Sequence, residues 1–323
     1  MSEAEKPTVT DGRARTIVEE ESVVSLRHTD LHGERYSAVG ELGRGGMGEV
    51  ALVLDRRIGR RVALKRSRPG ANLERFVREA CVQGQLEHPT VVPLYDMMTD
   101  DGGTTTTFTM KRVRGRTLKS VLAALATGDP ETTVRFTQRK LLSDFASVCL
   151  GVAFAHSRGV VHRDLKPDNL MLGDFGEVYV LDWGVAKIRD TPDLVDHVDV
   201  PRSGDATAIG SMVGTPGYMS PEQCMGKVHE TDERSDVYAL GAILFEILAL
   251  ERLNTGRTIE TIAEETLAGT NARVHLRAPT RNVAPELEEI CVRATARSPD
   301  DRFASAREVH DAVERYLDHD RDA

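Results

Sequence analysis

Three short stretches of the chain carry residue types that chemistry needs. The first is Gly43-Arg44-Gly45-Gly46-Met47-Gly48-Glu49-Val50, preceded by Leu42. A G-x-G-x-x-G run suits a dinucleotide turn when the glycines lead into a helix. Here Val50 to Leu54 reads as a strand, so the glycines join two strands. Backbone N–H groups in such a loop can approach a triphosphate with no Cβ in the way, although an ordinary glycine hairpin has the same local pattern. The second stretch is Val62-Ala63-Leu64-Lys65. A strand lysine among apolar residues needs a partner, because a lone buried ammonium is costly. The expected partner is Glu79, in Phe76-Val77-Arg78-Glu79-Ala80 on the following helix. Glu74 competes but falls in the exposed first turn, where an acidic residue is already suited to the helix N-terminus.

The third stretch is His162-Arg163-Asp164-Leu165-Lys166-Pro167-Asp168-Asn169, followed by a strand-like Leu170 to Leu172 and then Leu181-Asp182-Trp183-Gly184. With the first two stretches, and in the same order, it resembles the catalytic loop and metal-binding triplet of eukaryotic-type (Hanks-type) protein kinases, and more narrowly their bacterial serine/threonine branch. The resemblance runs from about Tyr36 to about Leu317 and implies an α+β, bilobal protein kinase fold. It implies ATP as phosphate donor and Mg²⁺ as cofactor, with Mn²⁺ as a substitute, and protein substrates bearing Ser or Thr.

Residue by residue, the resemblance implies the following roles. Asp164 accepts the proton of the acceptor hydroxyl, and Lys166 neutralises charge developing on the phosphoryl group. Lys65, held by Glu79, reaches the α- and β-phosphates. Asn169 and Asp182 offer oxygen ligands suited to a hard cation. The nucleotide would be contacted by Leu42, Gly43, Arg44, Gly45, Gly46, Met47, Gly48, Val50, Ala63, Lys65, the gatekeeper Met110, the hinge residues Lys111 and Val113, and Met171 beneath the adenine. Lys111-Arg112 is unusually basic for a hinge, and the simplest reading is two solvent-facing side chains. Thr215 corresponds to the threonine that contacts Asp164 and Lys166 in serine/threonine members, and Lys166 itself speaks for that class over tyrosine. Arg163 corresponds to the arginine that pairs with a phosphate on the activation segment, for which Thr207 and Ser211 are preferred over Thr191 and Ser203. Glu222 is expected to pair with Arg302, and Asp236 to brace the catalytic loop.

The chain departs from the family pattern in Trp183, where Phe is usual, and in Ser220-Pro221-Glu222, where Ala-Pro-Glu is usual. Both keep the side-chain character that matters: a large apolar ring and the glutamate. A catalytically silent scaffold would be expected to lack Lys65, Asp164 or Asp182. A small-molecule kinase would be expected to lack the Thr215 and Ser-Pro-Glu platform.

These residues need elements to position them. Tyr36 to Leu42, Val50 to Leu54, Arg61 to Arg66, Val91 to Met98 and Thr105 to Val113 read as strands, with Leu73 to Leu86 as a helix and a hairpin at Asp100-Asp101-Gly102-Gly103. That makes a small antiparallel five-stranded N-lobe with one helix. Helical patterns dominate afterwards: Leu141 to Ser157, Asp232 to Leu250, Pro285 to Ala296 and Ser305 to Leu317, with a polar insertion at Gly128 to Gln138. The expected organisation is a disordered polar arm over 1–33, a kinase domain over 34–318 (N-lobe 34–110, hinge 111–115, C-lobe 116–318) and a tail over 319–323.

Composition narrows the partners. The chain has 323 residues, 40% hydrophobic and 29% charged, and a formal net charge of −9. That balance fits a globular domain and argues against a general nucleic-acid binder. The four cysteines lie far apart, as buried reduced thiols of a cytoplasmic protein would. No apolar leader opens the sequence, and Ala239 to Leu250 is too short to span a bilayer. Self-association through the N-lobe is a further option that this reading leaves open.

Overall fold

The computed structural model describes residues 35–44, 48–68, 72–99, 105–188, 213–227 and 229–322. The first sheet is built from β1 (Tyr36–Arg44), β2 (Gly48–Asp55), β3 (Arg60–Ser67), β4 (Leu94–Thr99) and β5 (Thr106–Met110). All neighbours are antiparallel and the strand order is β1-β2-β3-β5-β4. The expected five-stranded small lobe is therefore present. The β4–β5 turn predicted at 100–103 lies outside the described residues, although its two strands do pair.

Helix α1 (Leu73–Gln85) packs on this sheet. Asn72 caps it by accepting the backbone N–H of Arg75 at 3.0 Å, which satisfies one otherwise orphaned donor. Phe76 and Ala80 then meet Phe108 of β5 in a small apolar cluster joined by Leu94 and Met110. A second cluster, Tyr36, Ala51, Val53, Val62 and Leu64, holds the other side of the sheet together.

The large lobe follows Gly115. Its helices are α2 (Leu118–Ala126), α3 (Pro130–Arg135), α4 (Gln138–Ser157), α5 (Pro221–Cys224), α6 (Glu233–Ala249), α7 (Ile259–Ala268), α8 (Val274–Arg277), α9 (Pro285–Ala294) and α10 (Ala306–Asp322). Thr117, Asp129 and Thr137 each cap the helix that begins after them. The polar insertion at 128–138 thus contains a one-turn helix, because Asp129-Pro130 is a strong start signal. Helix α6 is buried along its whole length from Ser235 to Ala249, which explains why its sequence is apolar on every face. It is the axis of a single large core that takes in α2, α4, α9 and α10. Helix α10 runs on to Asp322, through most of the stretch expected as a tail.

Two small sheets carry the loops between these helices. Strands β6 (Gly115–Thr117), β8 (Leu170–Gly173) and β9 (Val178–Val180) form one, and β7 (Val160–Val161) with β10 (Lys187–Ile188) the other. Three-residue strands give too little alternation to be read from sequence. A parallel bridge from Val91 to Val180 ties the approach to β4 onto β9, so the two lobes meet where the candidate site lies. Among the described residues no helix is long and apolar enough to cross a membrane.

Candidate active site

The catalytic loop leaves β7 and is fixed from below by one carboxylate. Asp236, in the first turn of α6, accepts the backbone N–H groups of His162 and Arg163, each at 2.8 Å. His156 Nε2 of α4 lies 2.8 Å from the same carboxylate. Burial pushes the Asp236 carboxyl up, but these donors and the neighbouring His162 hold it below the ordinary carboxylate value. The brace keeps Arg163 at φ 68°, a left-handed conformation that a non-glycine residue holds only when its surroundings impose it. The expected bracing role of Asp236 is matched by this geometry; the part played by His156 has no signal in the sequence, because the two residues lie on different helices.

Beyond the brace, three side chains close a ring. Lys166 Nζ lies 2.7 Å from Asp164 Oδ2, Thr215 Oγ1 donates to Asp164 Oδ1 at 2.6 Å, and Lys166 Nζ donates to Thr215 Oγ1 at 2.6 Å. Asn169 Nδ2 donates to the Asp164 carbonyl at 2.9 Å, and the Leu181 N–H to the Asn169 carbonyl at 2.8 Å. That last bond sets Asp182 beside the loop. Asp182 sits at φ 61°, and among the described residues its carboxylate receives a long 3.4 Å contact from the Gly184 N–H.

The small lobe contributes the ion pair of Lys65 with Glu79. Glu74 is exposed, as the sequence led one to expect, and Glu79 is the partner. The Lys65 ammonium also lies 5.9 Å and 5.7 Å from the ring centres of Phe76 and Phe108. Burial pushes the Glu79 carboxyl above its ordinary value, Lys65 pulls it down, and the nearby Asp182 pushes it up again. The ion pair and the Asp182 carboxylate therefore share one electrostatic neighbourhood, although they belong to different lobes.

The nucleotide side is assembled by strand register. Val50 pairs with Lys65, Ala63 with Met110, and Met171 with both Tyr179 and Thr117. A Cβ on Gly48 would come within 2.6 Å of the Arg66 carbonyl, so only glycine fits there. Leu42 is exposed at the lip and Val113 is half-buried. Gly45, Gly46 and Met47 lie outside the described residues. One expectation is corrected. Lys111 is half-buried rather than simply solvent-facing; its ammonium donates to the Tyr179 hydroxyl, which raises its pKa, and lies 4.9 Å from that ring's centre. Tyr179 is buried, and the hinge backbone lets the lysine stem run inward to it.

The oxygen donors fit a hard divalent cation. Asn169 uses its amide nitrogen internally, which leaves Oδ1 as its acceptor, and Asp182 is weakly engaged among the described residues. Among the described residues no group of three or more His, Cys, Asp or Glu side chains is arranged to hold a metal. A pair of protein oxygens completed by phosphate oxygens and water is the pattern expected for a magnesium–nucleotide site.

Comparison with known proteins decides the family. The model of the protein kinase domain matches residues 36–317. The chain is 36% identical over 308 residues to the serine/threonine-protein kinase PknD of Chlamydia trachomatis serovar D, covering 89% of this chain and 32% of the relative. It is 37% identical over 298 residues to PknD of Chlamydia felis, covering 88% and 31%, and 35% identical over 305 residues to PknD of Chlamydia muridarum, covering 88% and 32%. The chain belongs to the protein kinase family. It spans about a third of the length of these relatives.

Family membership implies use of ATP and a divalent metal. The segment carrying Thr215 is anchored by Glu222, whose carboxylate takes two bonds of 2.9 Å from Arg302 and one of 2.5 Å from the Ser235 hydroxyl. Burial raises the Glu222 carboxyl, but the guanidinium outweighs it and brings the pKa down to about 2. Gln223, which the sequence does not flag, donates to the carbonyls of Arg163 and Val213 at 2.8 Å and 3.0 Å and so stitches the segment to the catalytic loop. Trp183 is fully buried with its ring 4.6 Å from that of His162, centre to centre, so the larger ring in place of Phe is absorbed by the core. Arg163 is largely buried; burial and the neighbouring Arg78 guanidinium bring its pKa down to about 10, against the pull of Asp236. Thr191, Ser203, Thr207 and Ser211 lie outside the described residues.

Proposed function

We propose that this kinase transfers the γ-phosphate of ATP to serine and threonine hydroxyls of proteins, with Mg²⁺ held by Asn169 and Asp182. The observation that carries this reading is the closed ring of Asp164, Lys166 and Thr215. A carboxylate with a fixed cation and a hydroxyl at both its oxygens can orient an incoming hydroxyl and accept its proton. The acceptor oxygen then bonds to the γ-phosphorus while the bond to the β-phosphate oxygen breaks. Lys166 stands where negative charge gathers on the transferred group, and Lys65 is held by Glu79 for the phosphates that remain on ADP. The metal, when bound, would neutralise the phosphate oxygens.

Autophosphorylation at Thr207 or Ser211 belongs to the same reading. The Arg78 guanidinium is felt at Arg163, and an added phosphate beside Arg163 would offset that repulsion. Self-association through the small lobe would let one copy present its activation segment to another. Tyr95 and Met97, exposed on the edge strand β4, support it. The four free thiols support a cytoplasmic setting.

The test is transfer of labelled phosphate from Mg²⁺-ATP to a protein substrate. Asp164→Asn is expected to lower kcat roughly 10³-fold with nucleotide affinity retained. Undiminished transfer in that variant would defeat the mechanism.

A further inference from the structure

Arg163, which leads into Asp164, is held at both of its backbone groups. Its N–H donates to Asp236 at 2.8 Å. Its carbonyl, which forms the peptide bond to Asp164, accepts Nε2 of Gln223 at 2.8 Å. The same Nε2 donates to the Val213 carbonyl at 3.0 Å, two residues before Thr215. At the other side of the amide, Oε1 accepts the Ser220 N–H and the Ser220 hydroxyl, each at 3.1 Å. A buried glutamine thus spends both of its donors and its acceptor oxygen on three stretches of backbone, and only one orientation of the amide satisfies all of them.

Gln223 acts from a fixed base. It lies in α5, one residue after Glu222, whose carboxylate is bound by Arg302 and Ser235. The surfaces it joins are in close contact. Gly214 sits at φ 129°, and a Cβ there would come within 2.9 Å of Met219, 3.0 Å of the Arg163 carbonyl oxygen and 3.2 Å of Gln223 Nε2. The segment carrying Thr215 therefore lies directly on the catalytic loop, with two carbonyl oxygens turned toward one NH₂ group. Without that group two acceptors would face each other with no donor between them, and the segment would relax away from the loop.

We propose that Gln223 is a positioning residue for phosphoryl transfer: by joining the Arg163 and Val213 carbonyls it sets the Thr215 hydroxyl at hydrogen-bond distance from Asp164 and keeps the Asp164 carboxylate aimed. The inference rests on the protein-kinase reading above and adds to it a residue that acts through Asp164 and Thr215. The nucleotide side is built by other elements, among them Val50, Ala63, Lys65 and Met110, so the effect falls on kcat and not on the use of ATP.

The experiment uses the full chain, Mg²⁺-ATP and a serine-bearing peptide chosen for turnover by the wild type. It measures kcat, KM for ATP and the thermal unfolding midpoint in wild type, Gln223→Met, Gln223→Asn and Thr215→Ala, and in each Gln223 variant combined with Thr215→Ala. Methionine keeps the length and removes both donors; asparagine keeps the donors but is shorter by one methylene, about 1.5 Å. Gln223→Met should lower kcat about five- to tenfold and leave KM for ATP within about twofold. Gln223→Asn, which reaches one carbonyl at most, should fall between it and the wild type. In the Thr215→Ala background the methionine substitution should cost less than about twofold, because the hydroxyl it positions is gone. An equal loss of kcat in the two backgrounds overturns the proposal, as does an unchanged kcat in Gln223→Met or a rise in KM for ATP as large as the fall in kcat. If Gln223→Met does not fold, Gln223→Asn alone and combined with Thr215→Ala decides by the same criteria. Failure of both to fold would assign Gln223 to stability and also overturn the proposal. A wild type that binds ATP but transfers no phosphate would instead defeat the kinase reading itself.

Discussion

Two buried carboxylates, one in each lobe, face a cation across the fold, and they are built for opposite ends. Glu222 has both oxygens occupied, by a two-pronged arginine and a serine hydroxyl, and its pKa falls to about 2. Glu79 has one oxygen on Lys65 and the other buried with no hydrogen-bond partner among the described residues, and its pKa is raised by burial. Desolvating two charges is repaid only when the geometry is full and the remaining lone pairs are satisfied. The first pair meets that condition and holds the large lobe together. The second does not, and on the function proposed above it is retained for the contact of Lys65 with the nucleotide. The cores repeat the contrast: one continuous apolar mass around α6 in the large lobe, two small clusters in the other.

The sharpest way to break this comparison is to neutralise Glu222. Glu222→Gln keeps the shape and removes the charge, leaving Arg302 buried and uncompensated. We expect a loss of about 3–5 kcal/mol in urea unfolding at pH 7. The pH dependence has a definite sign. A carboxyl lowered from its ordinary 4.5 to about 2 contributes stability that is whole above pH 4.5 and is lost as pH falls toward 2. The gap between wild type and Glu222→Gln should therefore narrow below pH 4.5. Equal stability of the two proteins at pH 7 would mean that the pair is not the anchor described here.

Glu79→Gln should show the reverse pH dependence. A carboxyl raised in the folded state contributes stability only while it is protonated, and that contribution disappears as pH rises through its folded value. A permanently neutral glutamine has no such loss but leaves the Lys65 ammonium, 14% exposed, without its counter-charge, so the variant should lose less stability at pH 7 than Glu222→Gln does. Its activity should fall about 10²-fold, because Lys65 is no longer held in place. Thermal unfolding and kcat/KM for ATP measured on the same preparation separate the two effects. A variant that loses as much stability as Glu222→Gln would erase the distinction between the lobes.

How far the sequence foretold this arrangement follows the same division. The small lobe was legible almost strand by strand, because alternation, glycine turns and the capped α1 are local signals. The Lys65–Glu79 pair was legible from residue types 14 residues apart, whereas Glu222–Arg302 and Asp164–Thr215, 80 and 51 residues apart, were legible only through the family resemblance. What escaped was of two kinds. Short elements such as β6, β9 and α3 carry too few residues for periodicity. Side chains such as His156 and Gln223 are ordinary surface types by sequence, and become specific only when folding puts a carboxylate or a carbonyl opposite them. Lys111 shows the converse: its basic character pointed outward, but the buried Tyr179 hydroxyl offered an acceptor that no local pattern announced.

Asp164 stands between the two extremes. Like Glu222 it has both oxygens engaged, yet it remains 13% exposed and must release one partner when an acceptor hydroxyl arrives. In the proposed mechanism Thr215 is the one to yield, since Lys166 would be needed at the phosphoryl group. Its hydroxyl then serves to hold Asp164 oriented before the acceptor binds, which is worth one hydrogen bond to a charged group, about 1.5 kcal/mol. Thr215→Ala should accordingly lower kcat about tenfold and leave the unfolding midpoint nearly unchanged, and Thr215→Ser should restore most of the loss because it keeps the donor. A serine variant as slow as the alanine one would show that the methyl group's packing matters more than the hydroxyl, and that Asp164 is held by Lys166 alone.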